Sequence, residues 1–244
     1  MMKICALGDS ILKGVVPENG RYRVLDGRFS DLCVAELGIS VENDGRFGST
    51  VSGGERMLER IISRGGLGDF DYTLLEFGGN DCDYDWKAIA AAPDDTHFPN
   101  TPLPEFREIY AGLIDKVRAE GSKPVMLSLV PIVSERYFGT FSAGLDESGK
   151  DNILRWLAGN IEFIHDWHER YNLEVFALAR EHGVPVVDIT SPFLADRRRE
   201  ALMSCDGIHP SREGHRLIAD EIKRHILRRF DSVERWLGTA VHTA

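Results

Sequence analysis

The sequence predicts an α/β fold of three layers, in which helices cover both faces of a parallel sheet. Five short apolar runs alternate with segments of helical periodicity along the 244 residues. Such alternation is typical of a mostly parallel sheet that is buried on both faces. The length suits one hydrophobic core, so we expect a single domain over residues 1–244.

Each predicted strand is a short apolar run, and each predicted helix carries apolar residues three or four positions apart. The strands are expected at residues 4–7, 39–41, 72–77, 125–130 and 184–188. The helical faces carry Phe29, Leu32, Cys33 and Leu37; Met57, Leu58, Ile61 and Ile62; Phe106, Ile109, Tyr110, Leu113, Ile114 and Val117; and Leu217, Ile218, Ile222 and Ile226. Ser211 is a suitable N-cap for the last helix.

Two connections are longer than is usual in a compact domain. One covers residues 82–104 and is rich in Asp and Pro, and the other covers residues 131–172. The second is expected to begin as an aromatic loop and to become helical near Asn152. Insertions of this length are often lids or binding loops.

The charge and hydropathy of the chain disfavour nucleic-acid and membrane functions. The net charge is −10, which repels phosphate backbones, and the Arg197-Arg198-Arg199 run is interpreted as a solvated surface segment. No stretch is long and apolar enough to span a bilayer, and Asp9 interrupts the first apolar run. We therefore expect a cytoplasmic protein that acts on a small molecule.

The sequence contains no pattern that indicates a metal or an organic cofactor. The four cysteines, Cys5, Cys33, Cys82 and Cys205, form no C-x-x-C pair, so they are interpreted as free thiols. A regulatory disulfide between Cys82 and Cys205 is the alternative. Neither G-x-G-x-x-G after the first strand nor a P-loop is present.

Polar loops follow the predicted strands at the edge where ligands bind in sheets of this kind. These segments are Gly8-Asp9-Ser10 after the first strand, residues 43–50 after the second, Gly78-Gly79-Asn80-Asp81 after the third, and Asp206-Gly207-Ile208-His209 before the last helix.

These loops contain the groups that acyl transfer requires. Ser10 offers a hydroxyl nucleophile, His209 a base, and Asp206 a carboxylate that can orient the base. Gly48 can offer a backbone N–H and Asn80 an amide N–H to a developing oxyanion. The sequence therefore predicts a serine hydrolase site.

The same segments resemble the SGNH hydrolases, also called GDSL esterases and lipases. Four blocks carry the resemblance: Gly8-Asp9-Ser10, Gly48, Gly78-Gly79-Asn80-Asp81, and Asp206-Gly207-Ile208-His209. It implies a flavodoxin-like five-stranded parallel sheet in the order 2-1-3-4-5. It also implies a Ser10–His209–Asp206 triad and an oxyanion hole formed by the Ser10 N–H, the Gly48 N–H and the Asn80 side chain.

The match departs from the family pattern at two places. Ile11 replaces the Leu of the GDSL motif, which is a conservative change. The second block has three nearby glycines, Gly45, Gly48 and Gly53, and Gly48 is chosen because Gly-Ser-Thr resembles the Gly-x-Thr of that block. No metal or cofactor is implied.

Three functional hypotheses follow from these residues. The first is a carboxylic-ester hydrolase that works through an acyl-enzyme, with a short acyl group such as acetyl, carried for example by a carbohydrate. The second is a thioesterase or lysophospholipase with a longer acyl groove. The third is a binding module that has kept the fold without turnover. A homo-oligomer is compatible with each of them.

Several other residues permit more than one interpretation. His165 and His168 flank Asp166 and could bind a metal, although a polar helix face is the simpler interpretation. Glu76 lies in an apolar strand and is expected to be a buried, paired carboxylate. The aromatic residues of the two insertions could line an acyl or sugar pocket, anchor the insertions to the body of the protein or form a dimer contact: Trp86, Tyr137, Phe138, Phe141, Trp156 and Trp167.

Overall fold

The computed structural model describes the backbone of residues 1–241 and the side chains of residues 1–228. The strands, in chain order, are β1 (Lys3–Gly8), β2 (Val15–Glu18), β3 (Arg21–Val24), β4 (Ser40–Asn43), β5 (Tyr72–Glu76), β6 (Lys123–Leu127) and β7 (Val186–Val187). The helices are α1 (Ser10–Lys13), α2 (Phe29–Leu37), α3 (Val51–Ile62), α4 (Trp86–Ala91), α5 (Leu103–Ala119), α6 (Ser134–Ser142), α7 (Glu147–Trp156), α8 (Phe163–His182), α9 (Thr190–Ala195), α10 (Arg199–Leu202) and α11 (Arg212–Val241).

The main sheet has five strands in the order β4-β1-β5-β6-β7, and every pairing is parallel. Numbered along the chain, the strands of this sheet lie in the order 2-1-3-4-5, so the predicted fold is confirmed. The strand order reverses at β1. The next strand of this sheet along the chain, β4, lies on one side of β1, and the strand after it, β5, lies on the other side. Ligand sites form at the carboxyl ends of the strands at such a point.

Both faces of the sheet are buried because successive side chains of a strand point to opposite sides. Cys5 and Leu7 of β1 pack with apolar residues of α3, α5 and α8. Ala6, which lies between them, packs with residues of α2 and α11 on the opposite face. The inner strands β1, β5 and β6 are therefore mostly apolar, as strands covered on both faces are.

The insertions form a third apolar cluster beyond the carboxyl ends of the strands. Trp86 of α4, Ile153 of α7 and Ile164 of α8 belong to it. Trp86 and Phe141 stack with their ring centroids 4.3 Å apart. Aromatic residues thus join the two insertions to each other, whereas one sequence-based interpretation was that they anchor the insertions to the body of the protein.

Four details of the fold differ from the sequence-based expectation. The fourth strand of the sheet is Lys123–Leu127, shifted toward the N-terminus from the expected 125–130. The fifth strand comprises only Val186–Val187 of the expected 184–188. The second insertion is helical from Ser134, well before Asn152. The antiparallel pair β2–β3 was not predicted. Strand β3 has only four residues, all of them are exposed, and three are polar or aromatic, so it does not form an apolar run. Among the described helices, none has the length and apolar character that a bilayer crossing requires.

Candidate active site

The turn between β1 and α1 holds Ser10 at the carboxyl edge of the sheet. Asp9 is the N-cap of α1, and its Oδ1 accepts a hydrogen bond of 2.7 Å from the Ile11 N–H. Ser10 is the first residue of this helix and is 7% exposed. Backbone N–H groups in a first helical turn have no partner within the helix, and here those of Ile11 and Leu12 donate to the Asp9 and Glu76 carboxyl groups, which fixes the backbone that carries Ser10.

Gly8 and Glu76 hold the turn between β1 and α1 in place. Glu76 Oε2 accepts hydrogen bonds from the Asp9 and Leu12 N–H groups, at 3.1 and 3.3 Å. A Cβ on Gly8 would lie only 2.7 Å from the same oxygen, so no larger residue fits. Glu76 is 3% exposed, and its pKa is raised well above its usual value by burial and by the charge of Asp9. Glu76 thus supports the nucleophile turn.

The segment before α11 places His209 and Asp206 opposite Ser10. Asp206 Oδ1 accepts backbone hydrogen bonds from Ile208 and His209, at 3.2 and 3.1 Å. Gly207 has a φ of +79°, and a Cβ at this position would lie 2.6 Å from the Val133 carbonyl oxygen. The tight turn that glycine permits here brings the carboxylate back onto the imidazole.

Three side chains form a continuous hydrogen-bonded chain. His209 Nε2 lies 2.9 Å from Ser10 Oγ, and His209 Nδ1 lies 2.6 Å from Asp206 Oδ2. His209 is 1% exposed and Asp206 is 3% exposed. Burial alone would raise the pKa of Asp206, but the hydrogen bonds and charge of His209 outweigh it and the pKa is lowered. The carboxylate therefore stays ionised and can stabilise an imidazolium.

Asn80 lies next to this chain, while Gly48 lies further out. Asn80 Nδ2 donates to Asp9 Oδ2 at 2.7 Å and to the Ser49 carbonyl at 3.2 Å. Gly48 is exposed and is not among the residues that line the Ser10 cavity, although Phe47 is. The structure thus brings Ser10 and Asn80 together, and the role of the Gly48 N–H in an oxyanion hole stays a prediction.

Replacing Asn80 with alanine is expected to lower kcat by about 10²-fold to 10³-fold with little change in KM. The amide would stabilise charge that exists only in the transition state. The longer of its two hydrogen bonds, 3.2 Å to the Ser49 carbonyl, is the one that an oxyanion can share. Steady-state kinetics on an acetyl ester measures this effect. A change confined to KM would make Asn80 a substrate-binding residue instead.

The cavity above Ser10 contains functional groups that sequence reasoning missed. Its volume is about 280 Å³. Tyr22 of β3 and Phe47 lie beside His209, with ring centroids 5.3 and 6.1 Å away. Asp83 and His168, from the two insertions, also line it. The sequence singles out His168 only as a possible metal ligand, and no local motif indicates that these residues meet at Ser10, because the tertiary fold brings them there.

Two further sequence-based hypotheses can be compared with the structure. Among the described residues, no three His, Cys, Asp or Glu side chains are arranged to hold a metal ion. His168 is 3% exposed and therefore does not belong to a polar helix face. Cys82 is buried and Cys205 is exposed, and both are free. Trp86, a residue for which a pocket role was one interpretation, does line the cavity.

A comparison with known protein families identifies one family. Residues 6–217 match the model of the GDSL-like lipase/acylhydrolase family. No curated protein sequence is significantly similar to the chain.

Three similar solved structures illustrate the fold. A lipase/acylhydrolase from Enterococcus faecalis is 20% identical, with 94% of this chain and 97% of that one covered and a TM-score of 0.64. A member of the lipolytic G-D-S-L family from Veillonella parvula is 18% identical, with 92% and 97% covered and a TM-score of 0.61. Axe2, an acetyl xylan esterase from Geobacillus stearothermophilus, is 19% identical, with 92% and 94% covered and a TM-score of 0.63.

Proposed function

Since the chain belongs to the GDSL-like lipase/acylhydrolase family and is a serine ester hydrolase, we propose that it removes short acyl groups from neutral, hydroxyl-bearing alcohols such as carbohydrates. One observation carries the proposal. The Ser10–His209–Asp206 chain of hydrogen bonds opens into a cavity of about 280 Å³. Pockets for drug-sized ligands range from roughly 300 to 1,000 Å³, so this space suits a small substrate.

In the proposed reaction, Ser10 Oγ attacks the acyl carbon while His209 Nε2 accepts the hydroxyl proton. The bond between the acyl carbon and the alcohol oxygen then breaks, and His209 returns the proton to the leaving alcohol. Water hydrolyses the acyl-serine with His209 again acting as the base. Asp206 holds the ring in the tautomer whose Nε2 can accept a proton.

The charges of the cavity favour a neutral substrate. Asp9, Glu76 and Asp83 line it, and no Lys or Arg occurs among the described lining residues. A cavity without a cationic side chain cannot pair with the phosphate groups of coenzyme A thioesters or lysophospholipids, which disfavours both substrate classes. The acetyl xylan esterase among the similar structures agrees with a short acyl group.

A series of 4-nitrophenyl esters from acetate to palmitate tests this proposal. We expect the highest kcat/KM for acetate and a decline as the acyl chain lengthens, because the small cavity excludes the added methylene groups. The Ser10→Ala variant provides the background rate. A kcat/KM that increases toward long chains would instead favour the thioesterase or lysophospholipase hypothesis.

A further inference from the structure

A second imidazole faces the candidate active-site cavity. His168 lies on α8 and lines this cavity together with His209. A Cβ added to Gly79 would lie 4.0 Å from His168 Nε2 and 3.7 Å from Asp9 Oδ2. This ring nitrogen therefore lies beside the loop that carries Asn80. The proposed chemistry of ester cleavage makes no use of His168.

The half-buried carboxylate of Glu169 favours one position for the hydrogen on this imidazole. Its Oε1 is 3.7 Å from His168 Nδ1 and 4.0 Å from His165 Nε2, and none of these three atoms has a hydrogen-bond partner among the described residues. Glu169 Oε2 accepts a hydrogen bond of 3.0 Å from Asn172 Nδ2, whose Oδ1 accepts from the Leu129 N–H at 2.9 Å. A hydrogen on Nδ1 is attracted to the carboxylate, whereas a lone pair there is repelled. Neutral His168 therefore presents an acceptor, Nε2, to the cavity.

Asp83 supplies a second polar group to the same part of the cavity. Its Oδ1 accepts a hydrogen bond of 2.8 Å from Trp86 Nε1, and its Oδ2 accepts one of 2.7 Å from the Tyr137 hydroxyl. Burial raises the pKa of Asp83, while its hydrogen bonds and, more weakly, a charge on His168 act against this shift. The aromatic lining around these groups is Tyr84, Trp86, Tyr137, Phe163 and Trp167.

We infer that His168 and Asp83 recognise hydroxyl groups on the alcohol portion of the substrate. This inference deepens the proposed function and rests on it. His168 Nε2 accepts a hydrogen bond from one hydroxyl, and the Asp83 carboxyl group accepts one from another. The aromatic rings contact the C–H face of the same alcohol. A sugar combines hydroxyl donors with such a face, and it carries no charge that would need a cationic partner in the cavity.

Two variants at His168 test this inference with two acetyl esters. The first ester is a monoacetylated methyl glycoside, and the second is 4-nitrophenyl acetate, whose alcohol portion has no further hydroxyl. His168→Leu should lower kcat/KM for the glycoside about 10-fold to 100-fold more than for nitrophenyl acetate, because a buried substrate hydroxyl loses its acceptor. His168→Gln keeps an acceptor oxygen and should recover part of this difference.

A control variant on the same helix, measured with the same two esters, shows whether an effect is specific to His168. His182→Gln, at the far end of α8, should have the wild-type kcat/KM for both esters. Equal losses for the two esters in His168→Leu, or no recovery in a folded His168→Gln variant, would overturn the inference. Wild-type turnover of nitrophenyl acetate without turnover of the glycoside would overturn it too. Failure of the wild type on every acyl ester would instead refute the proposed function.

Discussion

Replacing Ser10 with alanine is expected to lower kcat by about 10⁴-fold or more while the fold stays intact. In the proposed mechanism Ser10 Oγ forms the covalent bond, and removing the nucleophile of a triad costs on this order. The backbone should be preserved, because the Asp9 side chain caps α1 and the Glu76 carboxyl group holds the turn. Steady-state kinetics on 4-nitrophenyl acetate measures the loss, and the melting temperature checks the fold.

Ser191 provides a matched control for this variant. Its hydroxyl also donates to a carboxylate, Asp188 Oδ2 at 2.6 Å, but this pair is exposed and lies outside the residues that line the cavity. Ser191→Ala should therefore keep the wild-type rate. Near-normal turnover by Ser10→Ala would remove Ser10 as the nucleophile.

Replacing Asp206 with asparagine should lower kcat by up to about 10⁴-fold with little change of geometry. The backbone N–H groups of Ile208 and His209 bond to one oxygen of Asp206, so they would hold the asparagine Oδ1 in the same place. The amide Nδ2 would then face His209 Nδ1, which must become the acceptor. The hydrogen would move to His209 Nε2, and the base could no longer accept a proton from Ser10.

The same variant has an expected effect on stability with a definite sign. The pKa of Asp206 is lowered in the folded protein, so its carboxylate stabilises the fold above the unfolded pKa, and this stabilisation is lost as the pH falls through the folded pKa. Asp206→Asn should melt below the wild type at neutral pH, and the difference should shrink in acid. An unchanged kcat and an unchanged melting temperature at neutral pH would together exclude Asp206 as the partner of His209.

The sequence predicts the positions of Ser10 and Asn80 from local features, because each lies in a polar turn that follows a strand, and such turns lie at the edge of a parallel sheet. Asp206 and His209 precede the last helix instead, and their place beside Ser10, like the sheet order, is implied by the resemblance to the SGNH hydrolases. Glu76 could be recognised as unusual from its apolar neighbours, but its hydrogen bonds to the nucleophile turn become evident only from the pairing of β1 with β5.

The remaining part of the site depends on packing between distant segments. Asp83 and Tyr137 meet through a hydrogen bond of 2.7 Å between the two insertions, although 54 positions separate them. Tyr22 reaches His209 from a hairpin of two four-residue strands, the second of which is exposed. Such contacts have no periodic signature, because the side chains that meet come from different elements.

Labelling with a fluorophosphonate, followed by peptide mapping, tests the central claim most directly. The probe phosphonylates a serine whose hydroxyl is activated by a neighbouring base, and the adduct is stable enough to locate by mass spectrometry. We predict one labelled site, Ser10, with no labelling in Ser10→Ala and much slower labelling in Asp206→Asn. A labelled residue other than Ser10, or an active wild-type enzyme that no probe labels, would contradict the account.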